Sequence, residues 1–196
     1  MEEVLKQIRD FADKSHGNQM RKYTPERYIV HPERVMKICR GYSDDVTILA
    51  AALLHDVLED TPVTQEDIHD FLLGLMDREK TERTVGLVVE LTDVYVKEDY
   101  PQWNRRKRKE RETARLEKTS ADSQTVKYAD IIDNSAEIIH YDTEFAPLFL
   151  HECRAILKKM TQGHPELYKR AIETVDRCIA QLWPKGTKLP RRARKK

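Results

Sequence analysis

The segment His55-Asp56-Val57-Leu58-Glu59-Asp60-Thr61 sets an imidazole and three carboxylates directly after Val46 to Leu54, a stretch that is apolar apart from Thr47. Burying carboxylates against hydrophobic residues is costly unless they are paired or bind a cation, and His with Asp and Glu is ordinary ligand chemistry for Mn, Fe or Zn. If one helix runs from Asp45 to about Asp60 or Thr61, where Pro62 must end it, the acids also crowd the negative pole of its macrodipole, a place that favours a positive partner. A bland surface turn would need polar flanks, and Ala50 to Leu54 provide none. Two further segments could complete a metal shell. His31, in Tyr28-Ile29-Val30-His31-Pro32, precedes a proline suited to a first helical turn. Lys127, Asp130 and Asn134 share a helix face by their i, i+3 and i+7 spacing. In isolation His31 also reads as a cap or a satisfied core histidine, and Asp130 as a surface acid paired with Lys127.

The elements that must position these groups are helical. Sustained period-2 alternation is absent, and apolar residues recur mostly at helical spacing. Val4, Ile8, Phe11 and Ala12 mark a first amphipathic helix from about Glu2 to Ser15, followed by a polar loop from His16 to Val30. Val35, Ile38 and Cys39 give a second helix, opened by Pro32 and ending near Gly41. The third helix, from Asp44 and Asp45, is apolar on all sides and is expected to be central. Thr64 with Asp67 forms a capping-box start for a fourth. A fifth is read from Val85, Val88, Leu91 and Val94. Ser120 or Asp122 caps the helix whose stripe is Val126, Ala129, Ile132, Ala136 and Ile139. Pro147 and Pro165 open the last two, the final one lined by Tyr168, Ile172, Val175, Ile179 and Trp183. The expectation is an all-α, single-domain helical bundle over residues 1–184, with 185–196 as a basic, disordered tail.

The order His31, His55-Asp56, Asp130 resembles the H…HD…D pattern of the HD-domain metal-dependent phosphohydrolases. More narrowly, Arg21-Lys22-Tyr23, Tyr28 to Pro32, His55 to Thr61, and Lys127-Tyr128-Ala129-Asp130 with Asn134 are similar to the hydrolase domain of the RelA/SpoT family and its small alarmone hydrolases. That resemblance implies an HD-domain helical bundle and a divalent ion, typically Mn²⁺, held by His31, His55, Asp56 and Asp130. It further implies that Glu59 and Asp60 orient or deprotonate the attacking water, and that Arg21, Lys22 and Asn134 contact the substrate. The implied substrate is a guanosine polyphosphate, hydrolysed at its 3′ position to release pyrophosphate. An HD-type nucleotidase acting on other nucleotides and a noncatalytic nucleotide-sensing module are the alternatives. This chain departs from the family where Thr24-Pro25-Glu26-Arg27 follows the Arg-Lys segment, and where Ile131-Ile132-Asp133 replaces the usual Arg-Leu-His.

Composition bounds the remaining possibilities. The formal net charge of +1 conceals a net acidic body, because seven basic residues and no acidic one lie between Lys185 and Lys196. Nucleic-acid binding by the whole surface is therefore not expected, although the tail could touch a polyanion. Eight basic residues between Asn104 and Lys118 could steer an anionic nucleotide toward the site. Cys39, Cys153 and Cys178 are odd in number and lack metal or disulfide spacing. With no signal-like or membrane-spanning apolar run, the expectation is a soluble cytoplasmic protein.

Overall fold

A computed structural model of the protein describes residues 1–182, and the expectations for Trp183 and the basic tail lie outside the described residues. Among these residues the elements are α1 (Glu2–His16), α2 (Val30–Arg40), α3 (Val46–Leu54), α4 (Val57–Asp60), α5 (Gln65–Leu73), α6 (Arg78–Leu91), α7 (Arg105–Leu116), α8 (Ala121–Tyr141), α9 (Ala146–Leu157) and α10 (Pro165–Leu182). The fold is all-α; the nearest thing to a strand among the described residues is an isolated bridge between Met20 and Arg27. No helix among them is long and apolar enough to cross a membrane.

Asp45 starts α3 by accepting the Thr47 N–H at 2.9 Å and the Thr47 hydroxyl at 2.7 Å. From Thr47 to Leu54 every residue is buried, so α3 has no solvent face and is surrounded by α1, α2, α6 and α8. α8 is the second central element, packed against α2, α10, α6 and α9. The predicted Thr64–Asp67 capping box is present, Ser120 caps α8, and Pro147 and Pro165 lie in the first turns of α9 and α10. The three cysteines are buried and free.

Four sequence expectations are corrected. α3 does not continue to Asp60: it stops at Leu54, the backbone at Asp56 turns to φ −98° and ψ −5°, and a new short helix follows. The Asp56 carbonyl then accepts the N–H groups of Glu59 and Asp60 at 3.2 and 2.9 Å. Those two acids thus lie in a first helical turn and meet no accumulated C-terminal dipole. α2 begins at Val30, so His31 lies inside its first turn and not ahead of it; Pro32 is tolerated because first-turn N–H groups have no intrahelical partner anyway. α6 starts at Arg78, capped by Asp77, and leaves the exposed Val94 beyond its end; its polar first half hid it from a hydrophobic pattern. On α8, Ala136 is exposed and the buried face runs instead through Ser135 and Ile138.

One close approach fixes the α9–α10 connection to α8. The fully buried Tyr128 donates its hydroxyl to the Met160 carbonyl at 2.8 Å and accepts the Gly163 N–H at 3.2 Å. A Cβ at Gly163 would lie 2.5 Å from Tyr128 Cε2 and 2.8 Å from the Thr125 nitrogen. Gly163→Ala is expected to destabilise the fold by about 1–3 kcal/mol, the usual effect of overpacking. Urea unfolding checks this, and an unchanged midpoint would show that the connection can give way.

Candidate metal centre

Three elements bring the four predicted ligands together. His31 comes from the first turn of α2, His55 and Asp56 from the break between α3 and α4, and Asp130 from the middle of α8. His31 Nε2 lies 3.2 Å from Asp130 Oδ1 and 3.7 Å from Asp56 Oδ2. His55 Nε2 lies 3.0 Å from Asp56 Oδ2 and 3.8 Å from Asp130 Oδ1. Ligand atoms of His31, His55 and Asp56 all fall within 4.8 Å of one another. The break at Asp56 explains the convergence, since a continuous helix would carry adjacent residues 55 and 56 to different faces.

The proton inventory fits a cation. His55 Nδ1 lies 2.9 Å from the Ala52 carbonyl, which can only accept, so Nδ1 carries a hydrogen and Nε2 is the nitrogen that can give a lone pair once its own proton leaves. That Nε2 atom is buried and has no hydrogen-bond partner, although an anionic oxygen stands beside it. His31 repeats the pattern, with Nδ1 at 2.7 Å from Asp133 Oδ2 and Nε2 turned to the cluster. Such outer partners orient metal-ligating imidazoles. The residues present therefore fit a divalent ion.

Burial opposes the charged imidazolium of His31, but hydrogen bonds to Asp130 and Asp133 outweigh it and push its pKa up to about 9. At His55 burial again opposes the charged form, and Asp56 with Asp130 outweighs it and shifts the group up. Burial would raise the carboxyls of Asp56 and Asp130; instead His55 with His31 holds the first below its ordinary range, and Lys127 with the two histidines holds the second well below it. Tyr28 donates to Asp56 Oδ2 at 2.7 Å, and burial followed by the charge of Asp56 keeps it a phenol.

A cleft of about 180 Å³ opens over the cluster. Its walls include six carboxylates (Asp56, Glu59, Asp93, Glu112, Asp130, Glu152) against three cations (Arg105, Lys109, Lys127). A polyphosphate would be repelled from that surface until a positive ion entered. Lys127 bonds Asp130 Oδ2 at 2.8 Å, Lys109 bonds Asp93 at 2.8 Å, and Arg105 grips Glu152 through two bonds of 2.8 and 2.7 Å. Glu59 lies open at the mouth and accepts the Asp93 N–H at 3.2 Å. The protein massed around it, with the like charges of Asp93 and Asp56, lifts its carboxyl above the ordinary range.

The other predicted residues are placed less uniformly. Asp60 is exposed, accepts from Gln19 at 3.2 Å, and does not line the cleft. Asn134 lines it and donates to Asp130 Oδ1 at 2.5 Å. Arg21 is buried behind Asn134, bonding its Oδ1 at 3.2 Å and pairing with Glu137. Lys22 is not brought to the cluster: it pairs with Asp142, the residue just past the end of α8 and twelve beyond Asp130, about 18 Å along the axis. Of the basic run, Arg105 and Lys109 reach the cleft, while Lys107 and Arg111 flank Trp103 at 4.3 and 6.0 Å. Tyr28 and Asp133 are additions to the sequence reading. Both were findable, because each stands three residues from a predicted ligand and so shares its helical face or turn. Asp93 and Glu152 carried no local signal and arrive through tertiary packing.

Side chains from α2, the α3–α4 break and α8 that bring two imidazoles and two aspartates to one point define an all-α protein with a His₂Asp₂ cluster able to accommodate a metal ion. The chain belongs to the HD domain family, whose model matches residues 28–138 and so spans all four side chains. It is similar to the guanosine-3′,5′-bis(diphosphate) 3′-pyrophosphohydrolase of Aquifex aeolicus, with 46% identity over 69 residues, 35% of this chain and 10% of that protein. A probable enzyme of the same name from Mycoplasma pneumoniae is 27% identical over 183 residues, 90% of this chain and 24% of that one. The chain thus spans about a tenth to a quarter of the length of these curated relatives. Among solved structures, one described as a metazoan ortholog of SpoT that hydrolyzes ppGpp superposes with a TM-score of 0.74 at 22% identity, covering 89% of this chain and 94% of the other. That likeness is one of fold.

Proposed function

We propose that the protein is a metal-dependent hydrolase of guanosine 3′,5′-bis(diphosphate)-type nucleotides, cleaving at the 3′ position to give pyrophosphate and a 5′-diphosphate nucleotide. The observation that carries the reading is the pair of Nε2 atoms, on His31 and His55, turned toward Asp56 and Asp130, the two aspartates that line an acidic cleft. A divalent ion there, Mn²⁺ by family resemblance, supplies Lewis acidity that acidifies water and neutralises phosphoryl charge. His31, His55, Asp56 and Asp130 hold it. Glu59 faces the same space with a carboxyl poised above the ordinary range and accepts the proton of the attacking water. Asp60, held by Gln19 outside the cleft, has the lesser part of orienting that water. Lys127, Lys109 and Arg105 line the walls and meet the phosphate oxygens. Asn134 hydrogen-bonds the nucleotide from the same face of α8 as Lys127, while Arg21 supports Asn134 from behind and Lys22 meets the nucleotide beyond the end of α8.

The test is a manganese-supplemented screen of guanosine polyphosphates and nucleoside mono-, di- and triphosphates with product identification. Pyrophosphate released from a 3′-diphosphate nucleotide supports the reading. Orthophosphate released from monophosphates would favour a nucleotidase, and binding without turnover would favour a sensing module.

Proton linkage gives a second expectation. In the metal-free protein the His31 pKa of about 9 exceeds its ordinary 6.5, so its contribution to stability is complete below pH 6.5 and is lost as pH rises toward 9. A divalent ion must displace that proton, so metal affinity should increase over the same interval. Thermal unfolding with and without Mn²⁺ from pH 6 to 9 should show the two forms diverging. Parallel curves would mean that no proton leaves on binding.

A further inference from the structure

Asp133 does not line the cleft, yet its side chain is only 10% exposed and its two carboxylate oxygens are divided between two residues of α2. Oδ2 lies 2.7 Å from His31 Nδ1, and Oδ1 accepts Arg34 Nε at 2.7 Å. Arg34 also approaches Glu137 Oε1 at 3.6 Å, and Glu137 pairs with Arg21. Arg21 donates to Asn134 Oδ1 at 3.2 Å, and Asn134 donates to Asp130 Oδ1 at 2.5 Å. The chain of contacts therefore starts on one cluster ligand, His31, and returns to another, Asp130.

The two histidines are supported unequally. His55 gives its Nδ1 hydrogen to a neutral carbonyl of its own helix, Ala52. His31 gives its hydrogen to a carboxylate on α8, a different element from the α2 that carries it. An anionic acceptor fixes the tautomer, holds the ring plane and makes the imidazole a stronger donor at its other nitrogen. Here the same bond also sets the separation of the helices bearing His31 and Asp130. Arg34 keeps the carboxylate aimed, since it occupies the second oxygen and leaves the first for the ring.

We propose that Asp133, braced by Arg34, is the positioning residue that sets the divalent-ion affinity of the His31–Asp130 side of the cluster. The proposal rests on the metal reading above and concerns the strength of binding. Asp133 touches neither the cleft nor the substrate space, so it acts through His31.

The experiment is calorimetric titration of the full chain with Mn²⁺, comparing the natural protein with Asp133→Asn and Arg34→Gln. Asp133→Asn keeps the shape and removes the charge; it is expected to weaken Mn²⁺ binding about 10- to 100-fold, the usual effect of losing a ligand's outer partner. Arg34→Gln leaves His31 and Asp133 in place and should weaken binding in the same direction by less. Nucleotide hydrolysis by Asp133→Asn should need correspondingly more Mn²⁺ to reach half its own plateau. A lower unfolding midpoint for the metal-free variant with unchanged Mn²⁺ affinity would overturn the proposal and reduce Asp133 to a strut between α2 and α8. If the natural protein binds Mn²⁺ and Asp133→Asn binds it equally well, the proposal fails alone. If the natural protein binds none, the metal reading fails and this one with it.

Discussion

Asp130→Asn should abolish tight divalent-ion binding and lower nucleotide hydrolysis on the order of 1000-fold. A catalytic metal contributes several kcal/mol of charge stabilisation, and each 1.4 kcal/mol is tenfold in rate. Asp130 is the residue on which the cluster turns. Its Oδ1 faces both imidazoles, at 3.2 and 3.8 Å, and its Oδ2 takes Lys127 at 2.8 Å. An amide is isosteric, but its neutral oxygen is a weaker ligand and leaves the buried ammonium of Lys127 to Asp93 and Glu59. Circular dichroism and Mn²⁺ titration on the same preparation separate loss of metal from loss of fold. A folded variant that retained full metal affinity would remove Asp130 from the ligand set.

Glu59→Gln should separate binding from chemistry. With the four ligands intact the variant is expected to bind Mn²⁺ as the natural protein does, while its turnover falls by about 10²- to 10⁴-fold, the range for loss of a general base. The sign of the pH dependence follows from the raised carboxyl: a base must be ionised, so activity is lost as pH falls through its elevated pKa, and the Glu59→Gln profile lacks that limb. Asp60→Asn should do less, because Asp60 stands outside the cleft and holds Gln19 instead. Steady-state rates for both variants at saturating Mn²⁺ decide the matter. Equal losses would give Asp60 as large a part as Glu59, and an unaffected Glu59→Gln would require a different base.

The convergence of His31, His55, Asp56 and Asp130 was legible in the sequence because each sits in a strong local context. His55 and Asp56 interrupt an apolar run, and Asp130 shares a helical face with Lys127 and Asn134. The physical argument attached to them was partly mistaken. The break after Leu54 places Glu59 and Asp60 in the single turn of α4, which ends at Asp60, and not at the pole of a long helix, and hydrophobic periodicity cannot reveal a one-residue change of backbone angle at Asp56. Helices with a marked apolar face, such as α1 and α10, were legible. α6 was recovered only in its apolar half, because Asp77 capping and the polar turns after it leave no hydrophobic trace.

The substrate-facing residues were the least legible. Arg21 is an arginine on a loop in the sequence, but in the fold it is committed to Glu137 and Asn134. The charge run from Asn104 to Lys118 reads as one basic surface, yet Lys109 is tied to Asp93, Arg105 to Glu152, and Arg115 to the buried Glu112. Glu112 in turn accepts the N–H groups of Val94 and Tyr95, each at 3.0 Å. Part of a charge pattern can be structural, and sequence spacing does not say which part.

The central claim is that one divalent cation sits among His31, His55, Asp56 and Asp130. Anomalous diffraction from crystals of the full chain grown with Mn²⁺ tests it most directly. The account predicts a single strong peak per chain within bonding distance of both Nε2 atoms and of a carboxylate oxygen from each aspartate. A manganese-saturated crystal with no peak there, or with the ion held elsewhere, would contradict it.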